Sequence, residues 1–334
     1  MRTCQLTFTA VRSGIGLCAA KLLALVNPLN RLVLVARTKE KAEYAKSQVE
    51  AVLPNNGKDY EEHIIPLECD HGSLSSVRSF VASLRRKLKE TYRIEKWAYN
   101  GIDVLCLNAA LLFAEDSLPA FTEDKLEMTF QTNHLAPFLI AYLTQNIINP
   151  GGRVLFSTSG LHVRNKLDLS GVEDPVTGDI RRGFLMIDGT DFHYKRSYSL
   201  TKLCNVATCV ELNKRLAKRG AISTCFSPGL MLSTGLFRHQ IDPVEAIPAA
   251  HREMVLRKSK SKEWGAGSLV YMAIAEDTGK RGSEYWSDNS LAGCSAEYGK
   301  EFCAAPITDE TVNSDECGRL WRVSCRLADV PNDP

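Results

Sequence analysis

The chain has 334 residues, 44% hydrophobic and 24% charged, the balance of an ordinary globular protein with enough length for one large core. A formal charge of +2 excludes the strong field that a nucleic-acid binder uses, so no nucleic acid is expected as a partner. The longest apolar runs, such as residues 136–142, fall well short of the roughly 20 residues that a transmembrane helix needs.

Residues 5–9 read as a short strand and residues 15–26 as an apolar helix, joined by Ser13-Gly14-Ile15-Gly16. A glycine turn feeding a helix N-terminus offers unpaired backbone N–H groups and positive dipole to a phosphate. Ala10 stands where a dinucleotide fingerprint opens with glycine, and its methyl group predicts an altered turn and weakened binding. Taken alone, the stretch fits an ordinary strand-to-helix turn equally well. A strand that starts this early leaves no room for a signal or transit peptide, so the protein works where it is made unless a leader is missing.

Residues 31–36 form a second strand ending in Arg37. An acidic residue there would hold the ribose hydroxyl of NAD, whereas Arg37 suits the 2′-phosphate of NADP; NADPH is therefore the expected cofactor, against the alternative of a surface arginine. Residues 63–69 make a third strand closed by Asp70, which either meets an adenine edge or caps the helix expected over 73–89. Residues 102–107 are almost wholly apolar, the pattern of a strand covered on both faces of a parallel sheet. Asn108 and the small Ala109 follow at its carboxyl end, where a cofactor can lie against the backbone and Asn108 can tie neighbouring strands together. Helical periodicity then runs over 126–148, with the amide of Asn133 in its apolar face, either structural or anchoring a lysine and a water.

Residues 153–157 are the fifth strand and bring Ser159 to the crevice in which open α/β sheets bind ligands. A long polar insert, residues 160–197, precedes a helix carrying Tyr198-Ser199-Leu200-Thr201-Lys202. Tyrosine and lysine four apart share one helix face, so the ammonium is expected to favour the phenolate and draw the phenol from its usual value of roughly 10 toward working range. A sixth strand covers 221–226, a seventh 283–286, and a helix 264–276. Residues 228–262 read as a substrate lid, and the chain ends in a tail with Trp321 in a short helix. The basic run Arg252, Arg257, Lys258, Lys260 and Lys262 is a solvated face or a weak contact with a membrane surface. Of the eleven cysteines, Cys18, Cys69, Cys106, Cys204 and Cys225 fall in apolar runs without a Cys-x-x-Cys spacing, as expected of buried free thiols in a reducing compartment.

Alternating strands and helices predict an α/β fold: one domain with a doubly wound parallel sheet of Rossmann type, the long insert before the Tyr198 helix and a C-terminal lid and tail. Such a sheet would gather Asn133, Ser159, Tyr198 and Lys202. In these four residues, in their order, the chain resembles the short-chain dehydrogenases/reductases, and the nucleotide motifs of that family map onto Gly14, Ile15, Gly16, Asp70 and Asn108. The resemblance implies that Tyr198 donates a proton, Lys202 lowers its pKa and holds the nicotinamide ribose, Ser159 steadies the substrate oxygen and Asn133 maintains a proton relay. It also implies cofactor contacts from Ser13, Ala109 and Thr234.

A narrower resemblance, to the light-dependent protochlorophyllide oxidoreductases, rests on Met186-Ile187-Asp188-Gly189, Asp191-Phe192, Tyr198 through Lys202 with Cys204-Asn205, Thr234 through Arg238, Tyr285-Trp286 and Leu320-Trp321. The 39 positions between Ser159 and Tyr198 agree with it. It implies NADPH, a tetrapyrrole substrate and a plastid location, the cytoplasm being the alternative. Two departures stand out. Leu230 replaces a cysteine of that group and Ser227 a tyrosine, so neither the proton source nor the stacking surface is kept. Cys225, in a strand, is expected to face away from Phe226 and from any rescue of that role. The retained tetrad equally fits a light-independent reductase of a lipophilic ketone or alcohol, retinoid-like or steroid-like. A scaffold that binds nucleotide or pigment without turnover is the non-enzymatic alternative.

Overall fold

The structure is a computed structural model and describes residues 4–9, 11, 13–95, 101–115, 117–174, 176–237, 244, 247, 249–287, 302–307 and 312–332. Runs rich in Val, Ile and Leu supply strands β1 (Gln5–Thr9), β2 (Arg31–Ala36), β3 (Ile64–Glu68), β4 (Ile102–Leu107), β5 (Ile148–Ser157) and β6 (Ile222–Phe226), followed by β7 (Glu284–Ser287) and β8 (Cys303–Pro306). They join in the order β3-β2-β1-β4-β5-β6-β7-β8, parallel except where β8 pairs antiparallel with β7. Successive side chains point to opposite faces, so Leu105 and Leu107 of β4 enter one apolar layer while Val104 and Cys106 enter the other.

Helices cover both faces, as a parallel sheet requires. On one side α1 (Ile15–Val26) packs between α2 (Lys39–Glu50) and α8 (Lys262–Ile274). On the other lie α3 (Leu74–Glu95), the three-residue α4 (Met128–Phe130), α5 (Ala136–Thr144), α6 (Tyr194–Ala217) and α9 (Ser314–Leu327). From Ser197 to Cys209 α6 is buried all round, because the sheet and the surrounding helices enclose it; this is why its sequence lacks an amphipathic stripe. Strand order reverses beside β1, which opens a crevice at the carboxyl edge between β1 and β4. The expected doubly wound α/β domain is thus the observed one.

Three local readings change. The helix expected over 126–148 is broken by a π-turn at Gln131–Leu135. Pro137 has no N–H to give the carbonyl of Asn133 one turn earlier, and that carbonyl instead accepts Asn205 Nδ2 at 2.9 Å. The supposed tail is a 14-residue helix, α9, started by a capping box between Asn313 and Glu316 and packed on α6. Helix α7 (Ala249–Lys258) buries none of its side chains, and residues 238–243, 245, 246 and 248 of the proposed lid lie outside the described residues, as does Ala10. Among the described residues every cysteine is a free thiol; Cys18 is half-buried, and Cys69, Cys106, Cys204 and Cys225 are buried.

Two histidines couple this fold to pH. His71, its Nδ1 donating to the carbonyl of Thr132 at 3.3 Å, and His134, its Nε2 at 3.0 Å from Ser324 Oγ, are buried, and burial pushes each pKa down to about 4. An unfolded histidine titrates near 6.5, so between these values the unfolded chain binds more protons than the folded one. Stability is full above the unfolded value and falls toward pH 4, by about 3 kcal/mol per histidine. The urea midpoint should drop steeply below pH 6.5, and His134→Gln should flatten that drop; an equally steep fall in the variant would clear His134 of the effect.

Candidate active site

The crevice is a cavity of about 610 Å³. At one end Gly14 adopts a left-handed φ of 69° before α1, and a Cβ there would meet only Thr234 side-chain carbons at 3.8–4.0 Å. Backbone conformation rather than space therefore demands glycine. The first turn of α1 has neither a capping side chain nor an acidic residue, so its N–H groups are left for an anion. Thr234, whose hydroxyl donates to the carbonyl of Met231 at 3.2 Å, closes over this turn from the loop after β6. Arg37 directly follows β2 and Lys41 lies in the first turn of α2, and both line the cavity. Asp70 accepts Gly72 N–H at 2.9 Å through one carboxylate oxygen, while the hydroxyl of Ser73, not Asp70, accepts the Ser76 N–H at the start of α3. An uncapped helix start, two cations beyond β2 and a carboxylate beyond β3 are the donor set that a phosphorylated dinucleotide requires, and the residues present fit it.

Asn108 and Ala109 are held by Thr9, whose hydroxyl accepts both their N–H groups, at 2.9 and 3.2 Å, and donates to the carbonyl of Cys106 at 3.3 Å. Ser157 Oγ donates to Asn108 Oδ1 at 2.9 Å. Three strand ends, β1, β4 and β5, are thus clasped where a ligand would cross them.

At the other end stand Tyr198, Ser159 and Lys202. Tyr198 is 6% exposed and turns its ring into an apolar cluster with Leu112 and Tyr194. Lys202 is 1% exposed and its Nζ donates to the carbonyl of Ser157 at 2.9 Å, 5.4 Å from the Tyr198 ring centroid. The expectation of a phenol kept acidic by its lysine is corrected here. Burial pushes the Tyr198 pKa up, and a hydrogen bond with Ser159 is what draws it back. Burial likewise pushes Lys202 down to about 7. Both groups have left water, and desolvation penalises the charged form of each.

Ser13, Gly14, Ile15, Arg37, Asp70, Asn108, Ala109, Ser159, Tyr198, Lys202 and Thr234 all line the one cavity; Gly16 and Asn133 do not. Gly16 is buried in α1. Asn133 is fully buried, its Oδ1 accepting Leu111 N–H at 2.7 Å and its Nδ2 donating to Leu111 O at 2.8 Å and Thr201 Oγ1 at 3.3 Å. It pins the loop after β4 to α6 and makes no bond with Lys202. Ser227 and Leu230 line the cavity, whereas Cys225 lies in the apolar layer opposite to Phe226 and away from it.

Sequence reasoning missed Lys41, Thr9 and Glu127. The apolar spacing Ala42, Ala45, Val49 would have revealed α2 and with it Lys41. Thr9 looked like one more strand residue. Glu127 is buried and accepts Thr129 N–H, Phe130 N–H and Ser197 Oγ at 2.8, 2.9 and 3.0 Å, tying α4 to the first turn of α6 beside Tyr198. No local pattern announces such a tie across 70 residues.

The family model of short chain dehydrogenases matches residues 6–166. Over 334 aligned residues the chain is 27% identical to the chloroplastic protochlorophyllide reductase of Marchantia paleacea, spanning 96% of this chain and 67% of that protein. Protochlorophyllide reductase A of Triticum aestivum is 28% identical over 98% of this chain and 81% of its own. Among solved structures, one from Mycobacterium paratuberculosis superposes with a TM-score of 0.63 at 19% identity, covering 99% of this chain and 95% of that one. A short chain dehydrogenase from Burkholderia cenocepacia in complex with NADP gives 0.56 at 18%, covering 85% and 94%. In this sheet, this cleft, the family match over residues 6–166 and a likeness that runs the length of the chain, the protein is similar to the short-chain dehydrogenases.

Proposed function

We propose that the protein is an NADPH-dependent reductase of a large apolar, conjugated substrate, similar to the protochlorophyllide reductases in its chemistry. One observation carries the reading: Tyr198 and Ser159 line the same cavity as the uncapped start of α1 and the Arg37/Lys41 pair. Ser13, Gly14, Ile15 and Thr234 would hold the pyrophosphate, Arg37 and Lys41 the 2′-phosphate, Asp70 the adenine, and Asn108, Ala109 and Lys202 the riboses. Bound there, the reduced nicotinamide supplies a hydride. Tyr198 gives its proton to the substrate atom that gains electrons, and the phenolate left behind is steadied by the Ser159 hydroxyl and by the protonated form of Lys202. Leu112, Leu161 and Phe237 keep water from the transfer. Asn133 acts at one remove, by fixing the loop on which the substrate end is built.

A specific observation favours a second reading, dark reduction of a lipophilic ketone. Leu230 and Ser227 both line the cavity and neither offers a pigment-stacking ring or a second acid, while Cys225 is buried elsewhere. Absorbance of the protein mixed with NADPH and protochlorophyllide, in darkness and after a flash, separates the two from each other. Product only after light supports the first; NADPH oxidation in darkness with a panel of apolar ketones supports the second; neither result in either arm defeats both.

Arg37→Ala should weaken NADPH by about tenfold or more and NADH hardly at all, since a charge-assisted bond to the 2′-phosphate is lost only with the former. Calorimetric titration of both nucleotides reads this, and equal losses would end the case for 2′-phosphate recognition.

A further inference from the structure

The substrate end of the cavity is apolar, with Leu112, Leu161, Leu236 and Phe237 on its walls, yet two cations stand in its lining, Arg164 and Lys195. Both are tied by the chain to the reacting groups. Ser159 caps the short 3₁₀ turn that Arg164 ends, and Lys195 precedes Tyr198 by three residues on the same face of α6. The ammonium of Lys195 lies 5.2 Å from the centroid of the Tyr194 ring, which is itself part of the apolar cluster around Tyr198.

Neighbouring arginines are spent on structure. Arg181 pairs with Asp174, Arg196 with Asp188, and Arg182 with Asp329 at 3.4 Å. Among the described residues Arg164 and Lys195 form no such pair, and Asp70, at the nucleotide end, is the only carboxylate lining the cavity. Two cations without a protein counter-ion at the rim of an apolar bowl complement a ligand that is apolar in its body and anionic at one edge.

We propose that Arg164 and Lys195 form a carboxylate subsite, so that the substrate is an apolar acid whose charged group rests at the mouth while its reducible bond faces Tyr198. The inference rests on the reductase reading for what the bowl holds. It makes a carboxylic acid the preferred ligand over its ester and over a neutral ketone of the same size.

The test uses the full chain and two probes of one shape, pyrene-1-butyric acid and its methyl ester, titrated calorimetrically with NADPH as a third ligand. Two partly screened ion pairs are worth about tenfold in affinity, so the parent should prefer the acid by about that factor. Added salt should narrow the preference. The double variant Arg164→Gln/Lys195→Gln should lose it while binding NADPH as the parent does, and Arg164→Lys should keep most of it. Equal binding of acid and ester by the parent, binding of neither, or a preference that survives in the double variant would each overturn the subsite. A parent that prefers the acid but binds no NADPH keeps the subsite and loses the reductase reading. A parent that oxidises NADPH with neutral ketones and shows no preference loses the subsite alone.

Discussion

Replacing Tyr198 by phenylalanine is expected to lower kcat by about 10³-fold and to leave the Kd for NADPH within about twofold. Tyr198 lines the cavity and its ring packs with Leu112 and Tyr194, so phenylalanine fills the same space without a proton to give. A residue that merely packs would show the reverse pattern, with stability changed and turnover kept. Single-turnover rates measured alongside nucleotide titrations distinguish the two, and a variant with undiminished kcat would remove Tyr198 from the chemistry. Because burial lifts the phenol's pKa, the acid stays protonated through neutral pH, ready to donate.

The second large effect lies far from the cavity. Trp321→Ala should cost about 3–5 kcal/mol of folding stability, read as a lowered urea midpoint. Trp321 is 1% exposed, meets Phe138 edge-on at 4.9 Å, lies under the Arg215 guanidinium at 4.0 Å and donates its indole N–H to the carbonyl of Asn332 at 3.1 Å. Removing it opens a void between α9 and α5 that these helices cannot close without breaking their other ties. Those ties reach the insert as well: Arg319 pairs with Glu173, and Arg182 donates to the carbonyl of Leu327 at 2.8 Å. The insert and the C-terminal helix are therefore one unit, and a loss below about 1 kcal/mol in the variant would show that α9 is dispensable to the core.

How far the chain could be read depends on the range of the forces involved. The Val- and Leu-rich strands, the glycine at Gly14 and the Tyr198–Lys202 spacing were legible in the sequence, because strand faces, left-handed turns and helix faces are set by residues within a few positions of one another. From these alone follow the parallel sheet and the crevice at its carboxyl edge. What no local pattern contains was decided by packing: that Pro137 frees the Asn133 carbonyl for Asn205, that Thr9 clasps the end of β4, that α9 seals the core, and that Arg164 and Lys195 line the bowl and form no ion pair among the described residues. The charge state of the reacting pair belongs to the same class. Spacing put a lysine beside a phenol, but only the enclosing helices and sheet removed the water from both, and that loss of solvent, not their nearness, sets the direction in which each titrates.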